Sequence, residues 1–264
     1  MKAAVLTAFG APLTIGELPD PVPAADELLV LVRSVTINRA LDQAVCGGRW
    51  PVPPPLPHVP GIDPAGEIVA VGSAVTTWSV GDRVAFGSVR CGRCAACSTT
   101  HDSLCVAARM PGVACWGGMA ELVALPARAA FRIPPDVSFV DAAFAVRHGG
   151  LALHMLGHAF HDKRVLVTGA SGALGSAAVQ LARAQGADVT GWVGSEAKRA
   201  ALANGSFAVG AVGSGTDFAL AVETTGTPDV WQAAFAALTL GGSLIGSSGA
   251  GSVALDLRRL YTRR

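Results

Sequence analysis

The sequence contains no run of basic residues, no patch in which basic and aromatic residues alternate, and no long uninterrupted apolar segment. Its 20 Lys and Arg almost balance its 19 Asp and Glu, which gives a formal net charge of +1. Without a basic surface the protein is not expected to bind nucleic acid. Without a bilayer-length apolar stretch, or a basic start followed by an apolar segment, neither a membrane protein nor a secreted one is expected. We therefore predict a cytoplasmic protein.

Apolar residues make up 51% of the 264 residues, so the chain can bury a large core and is long enough for two domains. The most informative stretch runs from Arg164 to Gln185. Within it, the apolar run Val165 to Val167 predicts a strand that is buried on both faces of a parallel sheet. Three glycines and a helical segment follow this strand directly.

The glycines predict a turn that binds the pyrophosphate of a dinucleotide. Gly169 suits the tight turn, Gly172 removes the side chain where a phosphate approaches, and Gly175 lets the helix pack close to the strand. Backbone amides at the start of the helix would face the phosphates. An ordinary strand-to-helix turn is the alternative. The predicted cofactor-binding residues of this turn are Gly169, Ser171, Gly172, Ala173, Leu174 and Gly175.

The end of the second strand, 188–193, indicates which dinucleotide binds. An acidic residue there usually holds the free ribose hydroxyl of NAD, whereas the extra phosphate of NADP needs hydroxyls and cations. This chain continues Gly-Ser-Glu-Ala-Lys-Arg from residue 194, with no acid at the strand tip. We therefore predict NADP(H), bound by Ser195 and Lys198. The alternative is that Lys198 and Arg199 form a solvated helix face.

Four cysteines follow the spacing C-x2-C-x2-C-x7-C, namely Cys91, Cys94, Cys97 and Cys105. Four thiolates this close in sequence suit one tetrahedral Zn²⁺ with a closed coordination shell, so we predict a structural zinc. Disulfides are the alternative, but a cytosolic chain keeps its thiols reduced.

Several motifs occur in an order that resembles the medium-chain dehydrogenase/reductase superfamily, on its quinone oxidoreductase side. They are P-G-I-D-P-A-G-E-I-V-A-V-G from Pro60, G-D-R-V from Gly81, the four cysteines, and G-A-S-G-A-L-G from Gly169. The resemblance implies an α/β protein with a GroES-like β-barrel catalytic domain over residues 1–126, which contains the zinc lobe at 91–105. A doubly wound Rossmann domain over residues 127–264 would follow, and the substrate would be a small molecule.

The alcohol dehydrogenases of this family bind a second, catalytic zinc. By resemblance its three ligand positions fall on Asn38, Ile62 and Arg147, none of which is a normal zinc ligand. The resemblance then implies a reductase that transfers hydride from NADPH to an activated C=C bond or a quinone without a catalytic zinc. Asn38, Arg147 and His148 are the candidate catalytic residues, as donors to the carbonyl oxygen. Alternatively, Asn38 bonds a turn, and Arg147 and His148 cap a helix or bind a carboxylate.

Two other functions stay open at this stage: a zinc-dependent alcohol dehydrogenase and a non-catalytic NADP(H)-binding relative. The resemblance also places Thr225, Gly226 and Ser247 beside the nicotinamide half of the cofactor, on loops after strands at 219–222 and 242–247. Relatives continue beyond a segment like 256–261, so the resemblance implies a Rossmann domain that is truncated at the C-terminus. The strand at 242–247 would then be an open edge that favours association, for example as a homodimer.

Overall fold

A computed structural model describes residues 1–99, 102–157, 161–205, 207–247 and 251–254. The chain divides into two compact units, Met1–Arg147 and His148–Arg264. The predicted division at 126/127 lies earlier along the chain than this division. No helix among the described residues combines the length and the apolarity that crossing a bilayer requires.

The first unit is built mainly from antiparallel strands. Its described strands and α-helices are β1 Lys2–Val5, β2 Thr14–Glu17, β3 Glu27–Thr36, α1 Arg39–Cys46, β4 Ile62–Val71, β5 Arg83–Phe86, β6 Leu122–Pro126, β7 Ala130–Arg132 and α2 Phe139–Phe144. Strands β1 and β2 pair with each other, and the others form one sheet in the order β6-β3-β4-β5-β7. A π-helix at Ala145–Gly149 follows α2 and continues into the second unit.

The core of this sheet follows the period of two that strands require. On β3, Leu28 and Val30 are fully buried, and they pack with Val123 and Leu125 from β6 and with Phe86 from β5. Successive side chains of a strand point to opposite faces, so alternate apolar residues fill one side of the sheet.

The second unit is built from parallel strands and helices, and its described elements are α3 Gly150–Leu156, β8 Arg164–Thr168, α4 Ala173–Ala184, β9 Asp188–Trp192, α5 Glu196–Leu202, β10 Ala208–Gly210, β11 Phe218–Glu223, α6 Pro228–Ala236 and β12 Leu238–Gly246. The strands form a doubly wound parallel sheet in the order β10-β9-β8-β11-β12, which confirms the predicted α/β fold class. Strand β8 lies at the centre of this sheet, and Val165, Leu166 and Val167 are each fully buried, as a strand covered on both faces requires.

The strand order reverses between β8 and β11, which makes this position the topological switch point. The connection from β10 to β11 is residues 211–217 and contains no helix. It passes three strand spacings, about 14 Å, which seven extended residues cover easily. The short third crossover agrees with the sequence, which leaves little room for a helix there.

Strand β12 begins at Leu238, four residues before the predicted start at residue 242. The pair Gly241-Gly242 resembles a turn before the strand. Instead Gly241, with φ +75°, lies inside the strand, where the pairing with β11 changes register between Phe218 and Leu220. A bulge of this kind uses glycine for its left-handed residue and lets the strand continue.

Candidate functional site

The glycine turn connects β8 to α4 at the switch point. Gly169 has φ +62°, a conformation that side chains disfavour. A Cβ at Gly175 would lie 2.2 Å from the carbonyl oxygen of Gly169, so only glycine allows the helix to start this close to the strand. The roles predicted for these two glycines therefore match their geometry.

The start of α4 has the form of an anion site. Gly172 is the N-cap residue, in an extended conformation, and no side chain caps the helix. The amides of Ala173, Leu174 and Gly175 lie in the first turn, where a helix offers no carbonyl acceptor. Ser171, just before the cap, is exposed. These residues would fit the pyrophosphate of a dinucleotide through amide hydrogen bonds and the positive end of the helix dipole.

The tip of β9 leads into α5, which begins at Glu196. The Ser195 hydroxyl accepts a hydrogen bond from the Lys198 amide at 3.4 Å and so caps this helix. Arg199 pairs with Glu196 one helical turn away, whereas the Lys198 side chain is exposed. Glu196 is thus engaged within its own helix, and Lys198 is the cation at this tip that the helix leaves available.

Glu223 ends β11 beside the glycine turn, and its side chain is fully buried. Its Oε1 accepts hydrogen bonds from the Thr168 hydroxyl at 3.0 Å and from the Thr225 amide at 2.8 Å. Its Oε2 accepts from the Gly226 amide at 2.9 Å. The sequence alone pointed to no role for this residue. The available signal was an acid that ends an apolar strand and precedes Thr-Thr-Gly.

The three residues predicted near the nicotinamide all lie around Glu223. The Thr225 hydroxyl donates to its carboxylate and also accepts from the Thr227 amide at 3.2 Å. Gly226 is buried, with φ +68°, and Ser247 is exposed. The Ser247 amide donates to the Glu223 carbonyl oxygen at 3.1 Å. The hydrogen bonds from the Thr225 hydroxyl and from the Thr225 and Gly226 amides to the Glu223 carboxylate therefore fix the conformation of this loop.

The four predicted cysteines come together in the first unit. All four sulfurs lie within 4.8 Å of one another, with 3.6 Å from Cys94 to Cys97 and 3.9 Å from Cys91 to Cys97. A tetrahedral zinc with Zn–S bonds of about 2.3 Å has sulfurs about 3.8 Å apart. The cluster Cys91, Cys94, Cys97 and Cys105 therefore fits one such ion. Among the residues that the structure describes, it is the one group of three or more His, Cys, Asp or Glu side chains so arranged.

The surroundings of this cluster shift the pKa values of Cys91 and Cys97 in opposite directions. Hydrogen bonds from the backbone amides of Arg93 and Cys94 lower the pKa of Cys91 to about 6. Burial raises the pKa of Cys97 to about 11. A bound zinc would hold all four as thiolates, because the metal ligand is the deprotonated sulfur.

Arg147 and Asp63 form an ion pair inside the first unit. The Arg147 Nε lies 2.8 Å from Oδ1 and 2.7 Å from Oδ2 of Asp63. The carboxylate is fully buried, and 22% of the Arg147 side chain is exposed. Asp63 also accepts a hydrogen bond from the Thr36 hydroxyl at 3.2 Å, and its φ of 56° is uncommon for a residue other than glycine. Of the alternatives left open for Arg147, carboxylate binding is therefore the one observed.

Asn38 caps α1, because its side-chain oxygen accepts from the Leu41 amide at 3.1 Å. Its own amide donates to the Asp42 carboxylate at 2.8 Å. Burial raises the pKa of Asp42, and the nearby charge of Asp63 raises it further. Asn38 thus makes a local backbone contact, as its alternative role supposed, but the contact is the cap of a helix. Asn38 and Arg147 belong to the first unit, whereas His148, buried in the π-helix, belongs to the second.

The alcohol dehydrogenase GroES-like domain matches residues 24–135. An alcohol dehydrogenase from Geobacillus stearothermophilus is 34% identical over 201 residues, which cover 72% of this chain and 57% of the relative. A quinone oxidoreductase-like protein 2 homolog from Nematostella vectensis is 36% identical over 185 residues, which cover 69% of this chain and 44% of the relative. The chain thus spans less than two thirds of these curated relatives.

Solved structures match over more of the chain. The crystal structure of an NAD-dependent alcohol dehydrogenase superposes with a TM-score of 0.88 at 30% identity, over 100% of this chain and 82% of that one. The fold, the order of the motifs and the sequence identity all indicate the same family. The chain belongs to the zinc-containing alcohol dehydrogenase family of the medium-chain dehydrogenase/reductase superfamily.

Proposed function

We propose that this protein is an NADP(H)-dependent oxidoreductase that transfers hydride to an activated C=C bond or a quinone, with a structural zinc and no catalytic zinc. The observation that carries this proposal is the ion pair between Arg147 and the buried Asp63. Bound NADP(H) would supply the hydride.

The position of this ion pair argues against a catalytic zinc. By resemblance, Asn38, Ile62 and Arg147 fall at the positions that hold the catalytic zinc in alcohol dehydrogenases of the family. In this chain Ile62 is fully buried and apolar, and the Arg147 guanidinium already compensates the charge of Asp63. A zinc ion there would meet a fixed cation and few donor atoms. This chemistry disfavours metal-assisted oxidation of a primary alcohol.

The same arginine can activate a carbonyl oxygen. Its Nε is held by Asp63, and its Nη1 lies 3.7 Å from the sulfur of Met110. The partly exposed guanidinium retains further N–H donors. When hydride reaches the β-carbon of an enone, negative charge develops on the oxygen, and a preorganised donor stabilises it. Arg147 would provide this donor, with Asn38 and His148 as the other candidate catalytic residues.

The preference for NADP(H) rests on the tip of β9. Ser195 is the N-cap residue of α5, and Lys198, with an exposed side chain, lies in its first turn. Glu196 is paired with Arg199. A hydroxyl and a cation suit the 2′-phosphate of NADP, whereas the ribose 2′-hydroxyl of NAD is usually bound by an acidic side chain with no other partner. The pyrophosphate would bind at Gly169, Ser171, Gly172, Ala173, Leu174 and Gly175.

The test combines a zinc count with cofactor oxidation. We expect one zinc per chain, held by Cys91, Cys94, Cys97 and Cys105, and oxidation of NADPH in preference to NADH with 1,4-naphthoquinone or a simple enone. A second, exchangeable metal whose removal abolishes turnover would contradict the proposal. Saturable NADPH binding without turnover on any acceptor would instead identify a non-catalytic binding protein.

A zinc-dependent alcohol dehydrogenase is the second candidate, because the names of the relatives favour it. It requires two zinc ions per chain and oxidation of a primary alcohol. The zinc count therefore separates the two candidates before any substrate is identified.

A further inference from the structure

The carboxylate of Glu223 lies at the switch point of the second unit. Glu223 ends β11 and Thr168 ends β8, and these strands pair in parallel with Val222 opposite Val167. The two residues that follow this pair, Thr168 and Glu223, are both fully buried. Loops that leave neighbouring parallel strands at a switch point form the walls of the ligand crevice. Glu223 therefore lies between those two walls.

Four neutral donors surround this charge. They are the hydroxyls of Thr168 and Thr225 and the amides of Thr225 and Gly226. A buried carboxylate is costly unless such hydrogen bonds compensate it, and hydrogen bonds to charged acceptors are the stronger kind. Each donor belongs to a strand end or to a loop of the crevice, so the charge fixes these segments together.

Other contacts extend the same connection. The Thr224 hydroxyl donates to the Thr168 carbonyl oxygen at 2.7 Å. A Cβ at Gly169 would lie 2.7 Å from the Thr224 hydroxyl oxygen, so the glycine turn and the 224–226 loop are in close contact. The Ser247 amide bonds the Glu223 carbonyl oxygen. Glu223 thus connects the ends of β8, β11 and β12.

We propose that Glu223 is a positioning residue that sets the 224–226 loop for the nicotinamide half of the dinucleotide. The proposal rests on the proposed function. Ser195 and Lys198, at the tip of β9, are on one side of β8, where the adenosine half would bind. A dinucleotide lies across the switch point, so its other half extends over β11 and β12, where Glu223 organises the backbone.

The substitution Glu223→Gln isolates this role. A glutamine is as long as a glutamate, but it has one oxygen acceptor and an NH₂ group. If its oxygen keeps the threonine contacts, its NH₂ group faces the Gly226 amide, and two donors then oppose each other. We expect the 224–226 loop to shift while the strands and the glycine turn persist.

Two nucleotides separate positioning from general damage. NADPH contains the nicotinamide half, and 2′,5′-ADP lacks it while keeping the adenosine and the 2′-phosphate. For Glu223→Gln we expect NADPH affinity to fall about tenfold or more, as for the loss of a hydrogen bond to a charged group. We expect 2′,5′-ADP affinity to stay within about twofold. The emission of bound NADPH, which reports the environment of the nicotinamide ring, should move toward that of free NADPH.

Two further variants support the comparison. Thr168→Val removes one buried hydroxyl donor to Glu223 and should lower NADPH affinity less, again without affecting 2′,5′-ADP. It keeps the proposal testable if Glu223→Gln folds poorly. Asp188→Asn, an exposed acid at the opposite end of β9, is the control for loss of charge and should bind both nucleotides normally.

Equal losses for both nucleotides in Glu223→Gln and Thr168→Val would overturn the proposal, because they would indicate damage to the whole unit. Unchanged NADPH affinity and emission in a folded Glu223→Gln would overturn it as well. A wild-type chain that binds neither NADPH nor NADH would refute the proposed function itself. The wild-type measurement therefore distinguishes the two failures.

Discussion

The Arg147 guanidinium compensates a carboxylate that would otherwise be buried alone. For Arg147→Met we expect a loss of roughly 3 kcal/mol in the free energy of unfolding, the lower end for a broken buried pair because Arg147 is partly exposed. Urea unfolding measures this quantity. The matched control is Arg33→Met, which removes the exposed pair with Glu67 at 3.0 Å and should cost less than about 1 kcal/mol.

Equal effects in these two variants would show that Asp63 is not compensated mainly by Arg147. A double variant adds a second check. Because Asp63→Asn removes the charge that Arg147 compensates, it should reduce the penalty of Arg147→Met in a double-mutant cycle.

At the scale of single residues, the sequence predicted chemical types better than contacts. It identified Arg147 as a cation where relatives have a metal ligand and left carboxylate binding open. It could not name Asp63 as the partner, because the two residues are 84 positions apart and meet only in the folded protein. For Glu223 the difficulty was different. One of its donors is the Thr168 hydroxyl at the end of β8, and only the pairing of β8 with β11 brings Thr168 to Glu223.

The strand, turn and helix around Gly169 were predictable as an element, because their determinants are local. The spacing of the glycines encodes the close approach, and the structure gives its size: a Cβ at Gly175 would lie 2.2 Å from the Gly169 carbonyl oxygen. The bulge in β12 was not predictable, because Gly241-Gly242 has the same composition as a turn. Only the register with β11 distinguishes the two.

This geometry predicts opposite effects for two helical glycines. Gly175→Ala should destabilise the protein by about 1–3 kcal/mol and abolish NADPH binding, because the new methyl group forces α4 away from the turn. Gly150→Ala, in α3, has nothing within 4 Å of the added methyl group and should stabilise by about 0.5–1 kcal/mol through helix propensity. Chemical unfolding and NADPH titration measure both effects. A tolerated Gly175→Ala would show that helix and strand are not in close contact.

At the scale of the whole molecule, each unit has its own five-stranded sheet and its own buried core. The cysteine cluster belongs to the first unit, and the predicted cofactor residues belong to the second. A ligand that binds only the folded form of a unit stabilises that unit. The two expected ligands should therefore act on different parts of the unfolding profile.

Calorimetry with each ligand tests this expectation. Removing zinc with a chelator should lower the transition of the unit with the cysteine cluster, because zinc binding contributes folding free energy. NADPH at one hundred times its dissociation constant should stabilise the other unit by about 2.7 kcal/mol. The control is Cys94→Ser, which breaks the zinc set and should make the first transition insensitive to the chelator while leaving the NADPH shift intact. A single transition that both ligands move equally would contradict the assignment of zinc and cofactor to separately folding units.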